Sequence, residues 1–525
     1  MITFPRVLVL LYFLVIFILA PTTILSFDSY YYWDWSRHLA LSYYDGSPMI
    51  AYLIKISTAV FGDCLFALAL VGVVATAVTS IIVYRTSRLL LNPDASFIAM
   101  GLWLFSPLVC LDLLKQTTYD APLTVFWALT VYSASKYIKF TKILDLYFTA
   151  VYIGLMLLAK YSGIVLVIAL FIFLSTTKYR SLFKSYHLYL AMGCSLLIFS
   201  PVIIWNSQHA WQSFLYQLNA HNLPNDNNFL TNISLSLVNV FFTALNFLLI
   251  VPWLCWLKLR ERQQDLSSNN SHYVFTPPAI TSNGPTPMPC SSLKSPHDFQ
   301  PHKLYFASCK SMKHSGNCGA NYNYSTLYLW MVICLTFLGF YLFTAGKAVI
   351  RADWLAPYLI TGAILAGFCY QELNYRKLSF SLLNIYIIIS FCIILNAHYN
   401  FIWSNKLVYY NLLQQFNLSY PKIPKIVITT GWFEARMLFF LHNKPLIYTF
   451  NCGSQQNQYA LWSKAVRESI INKAIKEILY IDIFDRSNCL ARYFDQCTYL
   501  PLLSPLNTYP VKNTAIYAYK CSNKF

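Results

Sequence analysis

Over its first 400 residues the chain alternates long apolar segments with short polar links. A run of about 20 apolar residues is long enough to cross the hydrocarbon layer of a membrane as a helix. We predict about eleven such helices, at 7–26, 64–84, 96–113, 121–138, 144–159, 162–177, 188–205, 234–256, 327–345, 353–370 and 379–397. The pattern therefore predicts a mostly α fold, a polytopic membrane helical bundle.

Two later stretches depart from this pattern. Residues 263–326 are rich in Ser, Asn and Pro and lack apolar periodicity, so they cannot bury enough surface to offset chain entropy. We predict that they form a mostly disordered cytoplasmic loop within a transmembrane domain over 1–400. From 421 to 525, short runs such as KIVITT, KPLIYTF and EILYIDIF alternate with helical patterns, which predicts a small C-terminal α/β soluble domain.

Composition and charge agree with a membrane protein. Of the 525 residues, 57% are hydrophobic and 11% are charged, whereas soluble proteins have about 25% charged residues. The net charge of +18 would suit a nucleic-acid partner, but the cations concentrate in every second link between apolar segments. These cations are Arg85, Arg88, Lys136, Lys139, Lys142, Lys178, Arg180, Lys184, Lys258, Arg260, Arg262, Arg376 and Lys377. The positive-inside rule explains them, so we predict no nucleic-acid partner, a cytoplasmic N-terminus and a C-terminal domain on the opposite side.

The cysteines give no sign of a metal site. The fourteen Cys are scattered, many within apolar runs, and they form no CxxC pair and no Cys/His cluster at zinc spacing. We interpret most of them as small buried hydrophobic residues. The sequence establishes no cofactor and leaves a divalent metal open.

Acids, bases and aromatic rings concentrate in the outer loop 26–63, between the first two predicted helices. Its stretch SFDSYYYWDWSRHLALSYYDGSPMIAYLIK contains the charged candidates Asp28, Arg37, Asp45 and Lys55. We predict two short helices lying in the membrane interface. Asp28 has two interpretations, a general base beside the bilayer or the N-cap of a helix beginning at Ser29. Asp45, followed by Gly and then Pro two residues later, is also typical of a residue that opens a turn.

Charged residues also lie at the outer ends of later predicted helices. They are Asp120, Lys160, Lys347 and Arg351. Asp120 either caps a helix or positions a cation or metal, and Lys160 either snorkels to the outer surface or meets a partner or ligand. Lys347 and Arg351 either clamp a phosphate or, in the case of Arg351, pair with Asp353.

Five short motifs in this order resemble one family. They are Asp28-Ser29, Tyr43-Tyr44-Asp45-Gly46-Ser47-Pro48, Thr118-Tyr119-Asp120-Ala121-Pro122, Leu158-Ala159-Lys160-Tyr161 and Gln458-Tyr459-x-x-Trp462. The chain resembles the GT-C class of membrane glycosyltransferases, specifically the bacterial relatives of protein O-mannosyltransferases and of the transferase that adds aminoarabinose to lipid A. Members typically have an Asp-Glu pair after the first helix and a Tyr-Tyr-Asp-His/Lys-Pro-Pro turn.

The resemblance implies a GT-C-like fold in a bacterial inner membrane and an inverting sugar transfer at its periplasmic face. It implies a polyprenyl-phosphate sugar donor, a lipid A, glycan or protein acceptor, and contact with membrane lipids. Asp28 matches the position of the general base. The expected substrate-binding residues are Arg37, Asp45, Lys55, Asp120, Lys160, Lys347 and Arg351.

The chain departs from the family pattern at three positions, which keeps other functions open. Ser29 replaces the acidic partner, Gly46 replaces the His or Lys of the turn, and Ser47 replaces a Pro. A catalytically impaired scaffold of the same fold is therefore one alternative. The other is a membrane transporter of lipid-linked or small solutes, which should have polar groups near mid-membrane and repeat symmetry; here the polar groups concentrate at the outer edge.

Overall fold

The computed structural model describes Leu14, Phe17 and residues 25–106, 109, 117–219, 231–237, 324–345, 352–373, 426–429, 446–449, 458–462, 464–472, 474–475, 477–482, 485, 487–499 and 517–523. Met1–Cys255 and Tyr324–Phe525 form one compact unit, and Trp256–Asn323 form a second. The second unit, and with it most of the predicted disordered loop, lies outside the described residues. The predicted domain boundaries stay a prediction.

The outer loop contains two short helices, as predicted. Helix α1 spans Phe27–Arg37 and helix α2 spans Met49–Phe61. Ser26 is the N-cap of α1, because its hydroxyl accepts a hydrogen bond from the Ser29 amide at 3.3 Å. The interpretation of Asp28 as the N-cap is therefore wrong, and Asp28 lies inside the first turn. Gly62 directly follows the last residue of α2. Its φ of 76° is a conformation that glycine adopts without strain.

Long apolar helices form the rest of the bundle. They are α3 (Leu65–Ser87), α4 (Pro93–Leu104), α5 (Asp120–Phe140), α6 (Ile143–Ala159), α7 (Ile164–Thr176), α8 (Tyr186–Gln208), α9 (Gln212–Asn219), α10 (Tyr324–Ala345) and α11 (Ala356–Leu373). All but the short α9 coincide with predicted spans. The predicted spans 7–26, 234–256 and 379–397 lie wholly or mostly outside the described residues.

Length and composition identify several of these helices as membrane spans. Within the described part of the chain, α3, α8 and Ser325–Ala345 are each long and apolar enough to cross a membrane. Tyr161–Thr176 and Lys178–Lys184 meet at an angle of 104°, so this pair forms a broken span or a re-entrant loop. The predicted helix over 162–177 is thus confirmed as an apolar helix, but its end bends sharply.

Small residues allow the helices of the bundle to approach closely. A Cβ at Gly154 of α6 would lie 2.7 Å from Ile198 Cβ of α8, and one at Gly367 of α11 would lie 2.8 Å from Ala99 Cβ of α4. Membrane helices associate through such close packing rather than through a hydrophobic driving force. Helix α5 packs against both α3 and α6, and Tyr119, directly before it, contacts the loop between α1 and α2 at Asp45.

A small sheet follows in the C-terminal part. Its strands are β1 (Ile426–Thr429), β2 (Leu446–Thr449), β3 (Glu477–Asp482), β4 (Gln496–Tyr499) and β5 (Tyr517–Ser522), in the order β2-β1-β3-β5-β4. Strand β1 pairs in parallel with β2 and β3, whereas β5 pairs antiparallel with β3 and β4. Short helices α12 (Gln458–Trp462), α13 (Lys464–Ile471) and α14 (Ser487–Leu490) connect them. The predicted C-terminal α/β sheet is confirmed.

The cysteines of this sheet differ from the prediction. Cys497 and Cys521 face each other on β4 and β5 and form a disulfide, with 4.1 Å between their Cα atoms. Cys489 is disulfide-bonded as well. The interpretation as small buried hydrophobic residues is therefore wrong for these three. Cys64, Cys194 and Cys334 of the bundle carry free thiols.

Candidate active site

The turn between α1 and α2 is a tight hairpin closed by its own backbone. The Tyr43 amide donates to the Gly46 carbonyl at 3.1 Å, and the Gly46 amide donates to the Tyr43 carbonyl at 3.4 Å. The Tyr43 ring stacks on Trp35 of α1 with 3.9 Å between the ring centroids. Asp45 therefore lies in a turn, as its sequence predicts, and the stacked rings fix that turn against α1.

The Asp45 side chain is buried, which a residue that merely opens a turn does not require. It is 6% exposed, and the Tyr31 phenol donates to its two carboxylate oxygens at 2.9 and 3.0 Å. Burial raises the pKa of Asp45 to about 7, against the lowering effect of the Tyr31 hydrogen bond; the negative charge of Asp28 adds to the rise. Asp45 consequently exchanges its proton near neutral pH.

A group of phenols surrounds the two carboxylates. It consists of Tyr31, Tyr32, Tyr119 and Tyr216. Burial is the main cause that raises the pKa of each phenol, and the charges of Asp45 or Asp28 raise it further. These phenols therefore remain protonated and can donate hydrogen bonds. Asp28 is partly buried in the first turn of α1 and shares this surrounding with Asp45.

An ion pair lies at the same end of the bundle, beside this group. The Lys160 amine contacts the Asp120 carboxylate oxygens at 2.8 and 3.0 Å, and Asp120 is 3% exposed. Asp120 is the first residue of α5, and the N-cap position belongs to Tyr119. Both simpler interpretations are therefore wrong: Asp120 is not the N-cap, and the Lys160 amine reaches a carboxylate instead of snorkelling to the surface.

Residues near the chain's C-terminal end complete the wall around Asp45. The Gln458 backbone amide donates to the Tyr31 phenol at 2.9 Å, and its side-chain oxygen accepts from the Tyr44 amide at 2.6 Å. The Tyr459 ring lies 5.2 Å from that of Tyr31. The sequence motif at Gln458 shows that these residues belong to a family pattern, but it gives no sign that they contact the first loop.

Helix α9 contributes two polar contacts that the sequence analysis missed. The Gln217 side-chain amide donates to the Asp45 carbonyl at 2.6 Å. Ser213 shares a hydrogen bond of 2.9 Å with the Tyr161 phenol, which also contacts Ser42 at 3.1 Å. Tyr161 follows Lys160 directly in the chain, so the ion pair lies next to a residue whose phenol contacts Ser42, near the Asp45 turn. No charge or motif in the sequence marks Gln217 or Ser213.

Residues 45–205 match the family model described as Dolichyl-phosphate-mannose-protein mannosyltransferase. The fold is similar to the crystal structure of ArnT from Cupriavidus metallidurans in the apo state, with a TM-score of 0.64 at 11% identity over 98% of this chain and 97% of that chain. This chain has the fold of the GT-C membrane glycosyltransferases.

A second crystal structure, ArnT from Cupriavidus metallidurans bound to undecaprenyl phosphate, is similar with a TM-score of 0.64 at 11% identity, covering 99% of this chain and 98% of that chain. No curated protein sequence matches the chain. The family resemblance inferred from the motifs is confirmed over residues 45–205, and the GT-C fold is confirmed over nearly the whole chain. The matched stretch begins at Asp45 and includes both partners of the Asp120–Lys160 ion pair.

Other predicted site residues of the GT-C fold lie apart from these contacts. Arg37 pairs with Asp34 at 3.1 Å and lies 4.9 Å over the Trp33 ring, so its charge is engaged within α1. Lys55 is exposed on α2. Lys347 and Arg351, together with the predicted pairing of Arg351 with Asp353, cannot be placed, because both cations lie outside the described residues.

The described residues offer no arrangement typical of a metal centre. Nowhere in the described part of the chain do three His, Cys, Asp or Glu side chains come together as ligands for a metal ion. Asp45, the best-defined carboxylate of the site, is already held by a phenol, and Asp120 by an ammonium group. The chemistry that this arrangement can perform is proton transfer at a carboxylate, together with hydrogen bonding from neutral phenols.

Proposed function

We propose that this protein is an inverting membrane glycosyltransferase that moves a sugar from a polyprenyl-phosphate carrier to a lipid A, glycan or protein acceptor. The observation that carries the proposal is the burial of Asp45, with Asp28 beside it, in a group of phenols at the outer end of a GT-C fold. Two carboxylates in one partly desolvated site suit the removal of a proton from an acceptor. The similarity to ArnT bound to undecaprenyl phosphate supports the carrier.

In the proposed step, an acceptor hydroxyl or amine attacks carbon 1 of the sugar opposite the phosphate. A bond forms between the acceptor and carbon 1, and the bond from carbon 1 to the phosphate oxygen breaks. The departing polyprenyl phosphate keeps the bonding electron pair, and Asp28 takes the acceptor's proton and releases it to solvent. Because phosphate is a good leaving group, positioning and charge stabilisation supply much of the rate.

The basic residues bind the phosphate in this proposal. The Lys160 amine pairs with Asp120, and the next residue, Tyr161, contacts Ser42 close to the Asp45 turn. The Lys160 side chain retains 21% exposure. Lys160 can thus contact a ligand while remaining paired with Asp120. Arg37, Asp45, Lys55, Asp120, Lys347 and Arg351 stay predicted substrate-binding residues.

The proposed location is the periplasmic face of a bacterial inner membrane. Two observations support it. The cations Arg85, Arg88 and Lys139 lie in links that are separated from the Asp45 turn by an odd number of predicted membrane spans. They are therefore predicted on the other side of the membrane, as the positive-inside rule requires for a cytoplasmic N-terminus. The disulfide between Cys497 and Cys521 is typical of an oxidising compartment, which supports a position outside the cytoplasm for the proposed C-terminal domain over 421–525.

The test is sugar transfer by the purified protein from a radiolabelled polyprenyl-phosphate sugar to lipid A, glycan or protein acceptors. Replacing Asp28 by Asn should lower transfer by about 100- to 10,000-fold, as the loss of a general base does. The control is Asp63→Asn, which changes an exposed carboxylate of the same loop that accepts from the Trp33 indole at 2.8 Å. Unchanged transfer by Asp28→Asn would exclude Asp28 as the base. No transfer by the wild-type protein to any acceptor would favour an impaired scaffold.

A further inference from the structure

The segment Lys178–Lys184 turns sharply away from α7 and separates its side chains into two faces. It is a 3-10 helix that meets the helix before it at an angle of 104°. Its residues Tyr179 and Leu182 are buried. Its cations are all exposed, namely Lys178, Arg180 and Lys184. Because α7 is an apolar helix of the membrane bundle, a segment at nearly a right angle to it runs along the membrane surface, with its charges at the level of the lipid headgroups.

Hydrogen bonds fix this segment against two helices of the bundle. The Tyr179 phenol donates to the Ile138 carbonyl near the end of α5, at 2.9 Å. The Tyr189 phenol of α8 donates to the Phe183 carbonyl at 2.8 Å. The backbone that carries the three cations is therefore already ordered, so a ligand that binds there has only side chains left to order.

Two other links of the chain meet the segment at the end of α5. Lys139 lies in the last turn of α5, and its amine donates to the Leu89 carbonyl in the link after α3. Ile138, one residue earlier, accepts from Tyr179. The links after α3, α5 and α7 are thus joined by direct contacts. The exposed cations of these links and of the adjoining helix ends form the basic surface, which consists of Arg85, Arg88, Lys139, Lys142, Lys178, Arg180 and Lys184.

The basic surface carries an excess of positive charge. In the described part of the chain, none of its cations forms an ion pair with a carboxylate. The described acids at this end of the bundle are Asp94, Asp145 and Glu372. Asp145 is buried and pairs with Lys136 at 2.8 Å, so it does not neutralise the surface. An anion that approaches this end of the bundle therefore meets more cations than acids.

Large exposed side chains of aromatic and aliphatic residues border the basic surface. They are Phe140, Ile143, Leu144, Phe171, Tyr186 and Tyr189. A soluble polyanion such as a nucleic acid would pair with the cations but leave these side chains in water. A phospholipid suits both groups, because its phosphate meets the cations and its acyl chains cover the apolar side chains. Tyrosine beside cations is also typical of the interface between headgroups and hydrocarbon.

We propose that the basic surface binds the headgroups of anionic phospholipids, with Lys178, Arg180 and Lys184 at its centre. The Arg180 guanidinium can bind two phosphate oxygens at once, and the lysines act as compact charges. The surface lies apart from the candidate active site, because Asp120 and Lys139 are near opposite ends of α5, whose 21 residues extend about 30 Å. The proposal therefore goes beyond the proposed function and holds whether or not the protein transfers a sugar.

The test is lipid binding by the full-length protein in detergent, measured by native mass spectrometry. The two probes are phosphatidylglycerol, which is anionic, and phosphatidylcholine, which is zwitterionic. The wild-type protein should bind phosphatidylglycerol more tightly. The triple variant Lys178→Gln, Arg180→Gln, Lys184→Gln should bind phosphatidylglycerol about 10- to 100-fold more weakly and bind phosphatidylcholine as the wild type does, since each cation near an anionic lipid surface contributes roughly a factor of 5.

The matched control removes three exposed cations from the C-terminal part of the chain. It is the triple variant Lys464→Gln, Arg492→Gln, Lys520→Gln. It changes the net charge by the same amount and should bind phosphatidylglycerol as the wild type does. Arg180→Gln alone is the milder second variant, and it should weaken phosphatidylglycerol binding about 5-fold. This single change gives the same comparison if the triple variant on the basic surface does not fold.

Three results would overturn the proposal. Equal binding of the two lipids by the wild-type protein would mean that the headgroup charge is not recognised. Equal weakening by the two triple variants would mean that only the net charge of the protein attracts the lipid. Displacement of phosphatidylglycerol by an equal concentration of glycerol 3-phosphate would mean that the surface binds soluble phosphate compounds instead of a lipid. None of these measurements depends on sugar transfer.

Discussion

Asp120 and Asp45 are both buried carboxylates at the same end of the bundle, but the protein stabilises them by opposite means. Asp120 is held by the ammonium group of Lys160 at 2.8 Å. Asp45 is held by the neutral phenol of Tyr31 at 2.9 Å. An ammonium group cancels the negative charge, whereas a phenol only solvates it. The first carboxylate is therefore held within an ion pair, and the second, whose pKa is raised to about 7, can gain or lose a proton near neutral pH.

The difference separates two tasks within one site. The Asp120–Lys160 pair joins the starts of α5 and of the segment after α6, so it fixes helix ends and keeps a cation at the outer face. The Asp45 region is instead built from rings and hydroxyl groups contributed by α1, α5, α9 and α12. Rings and neutral hydroxyl groups bury the carboxylate without adding charge. Such surroundings suit a site that transfers a proton and binds a sugar.

The largest effect is expected when Lys160 is replaced by Met. This change leaves the buried Asp120 carboxylate without its cation, which should lower the free energy of unfolding by about 3–5 kcal/mol. Adding Asp120→Asn should restore part of this loss, since no uncompensated charge remains. Thermal unfolding in detergent measures both effects.

The control for that change is Lys136→Met, at the opposite end of α5. Lys136 pairs with the buried Asp145 at 2.8 Å, so its loss should cost similar stability but leave sugar transfer by the folded fraction unchanged. A Lys160→Met variant that unfolds at the wild-type temperature would show that Asp120 does not depend on its ammonium partner.

A pH-dependent effect of somewhat smaller size is expected at Asp45. Its folded pKa of about 7 lies above the ordinary value near 3.8, so the folded state binds the proton more tightly than the unfolded state. The stability that Asp45 contributes is complete below about pH 4 and is lost as the pH rises through 7. The loss should be roughly 2–4 kcal/mol.

Asp45→Asn tests this, because an amide does not titrate in this range. The difference in unfolding temperature between the variant and the wild-type protein should change between pH 4 and 7 and stay constant above about pH 8. A difference that is the same at every pH would contradict the raised pKa. Asp120→Asn, measured in parallel, shows whether the pH dependence of the unfolding temperature is specific to Asp45.

The next effect in size is expected from Tyr31→Phe. The change removes the donor to both Asp45 oxygens, and a hydrogen bond to a charged group contributes about 1.5–3 kcal/mol. Because that bond favours the ionised form, its loss should raise the pKa of Asp45 and move the pH transition upward by about one pH unit. The same titration of unfolding temperature measures it. Tyr52→Phe, which removes a phenol donating to the Ala40 carbonyl at 2.7 Å, should leave the transition in place.

Local sequence patterns predict the helices of this protein better than they predict its site. Apolar runs of membrane length mark α3 almost to its ends, because the hydrocarbon layer sets that length. The sequence leaves Asp28 open as a base or as the cap of α1, and the cap is Ser26. Both residue types cap helices well and lie only two positions apart. The disulfide between Cys497 and Cys521 was missed because pairing requires the register of two strands.

The charged members of the site stand out in the sequence, but the neutral ones do not. Asp28, Asp45 and Lys160 are noticeable because charge is costly beside a membrane. Tyr119 is one aromatic residue among many in the sequence, and only the structure shows that its ring fills the space beside Gly46. Gln458 lies 414 residues from the Tyr44 amide that it contacts, so no local pattern can connect the two.

The smallest effect is expected from Gln458→Ala. This variant should also distinguish the Asp45 region most clearly from the rest of the molecule. The change removes the acceptor of the Tyr44 amide and keeps the backbone donor to Tyr31, so the stability cost should be about 0.5–1.5 kcal/mol. Gln371→Ala is its match, because the Gln371 side-chain oxygen accepts from the Asn92 amide at 2.6 Å, across 279 residues. Both variants should unfold at similarly lowered temperatures.

Only Gln458→Ala should change the chemistry, because only its contact lies on the Asp45 turn. We expect sugar transfer by the folded protein to fall about 2- to 5-fold in Gln458→Ala and to remain unchanged in Gln371→Ala, measured at equal amounts of folded protein. Equal transfer by the two variants would mean that the C-terminal residues brace the fold and do not shape the site. A loss of transfer in Gln458→Ala alone would mean that Asp45, unlike Asp120, depends on contacts between the first loop and the C-terminal part of the chain.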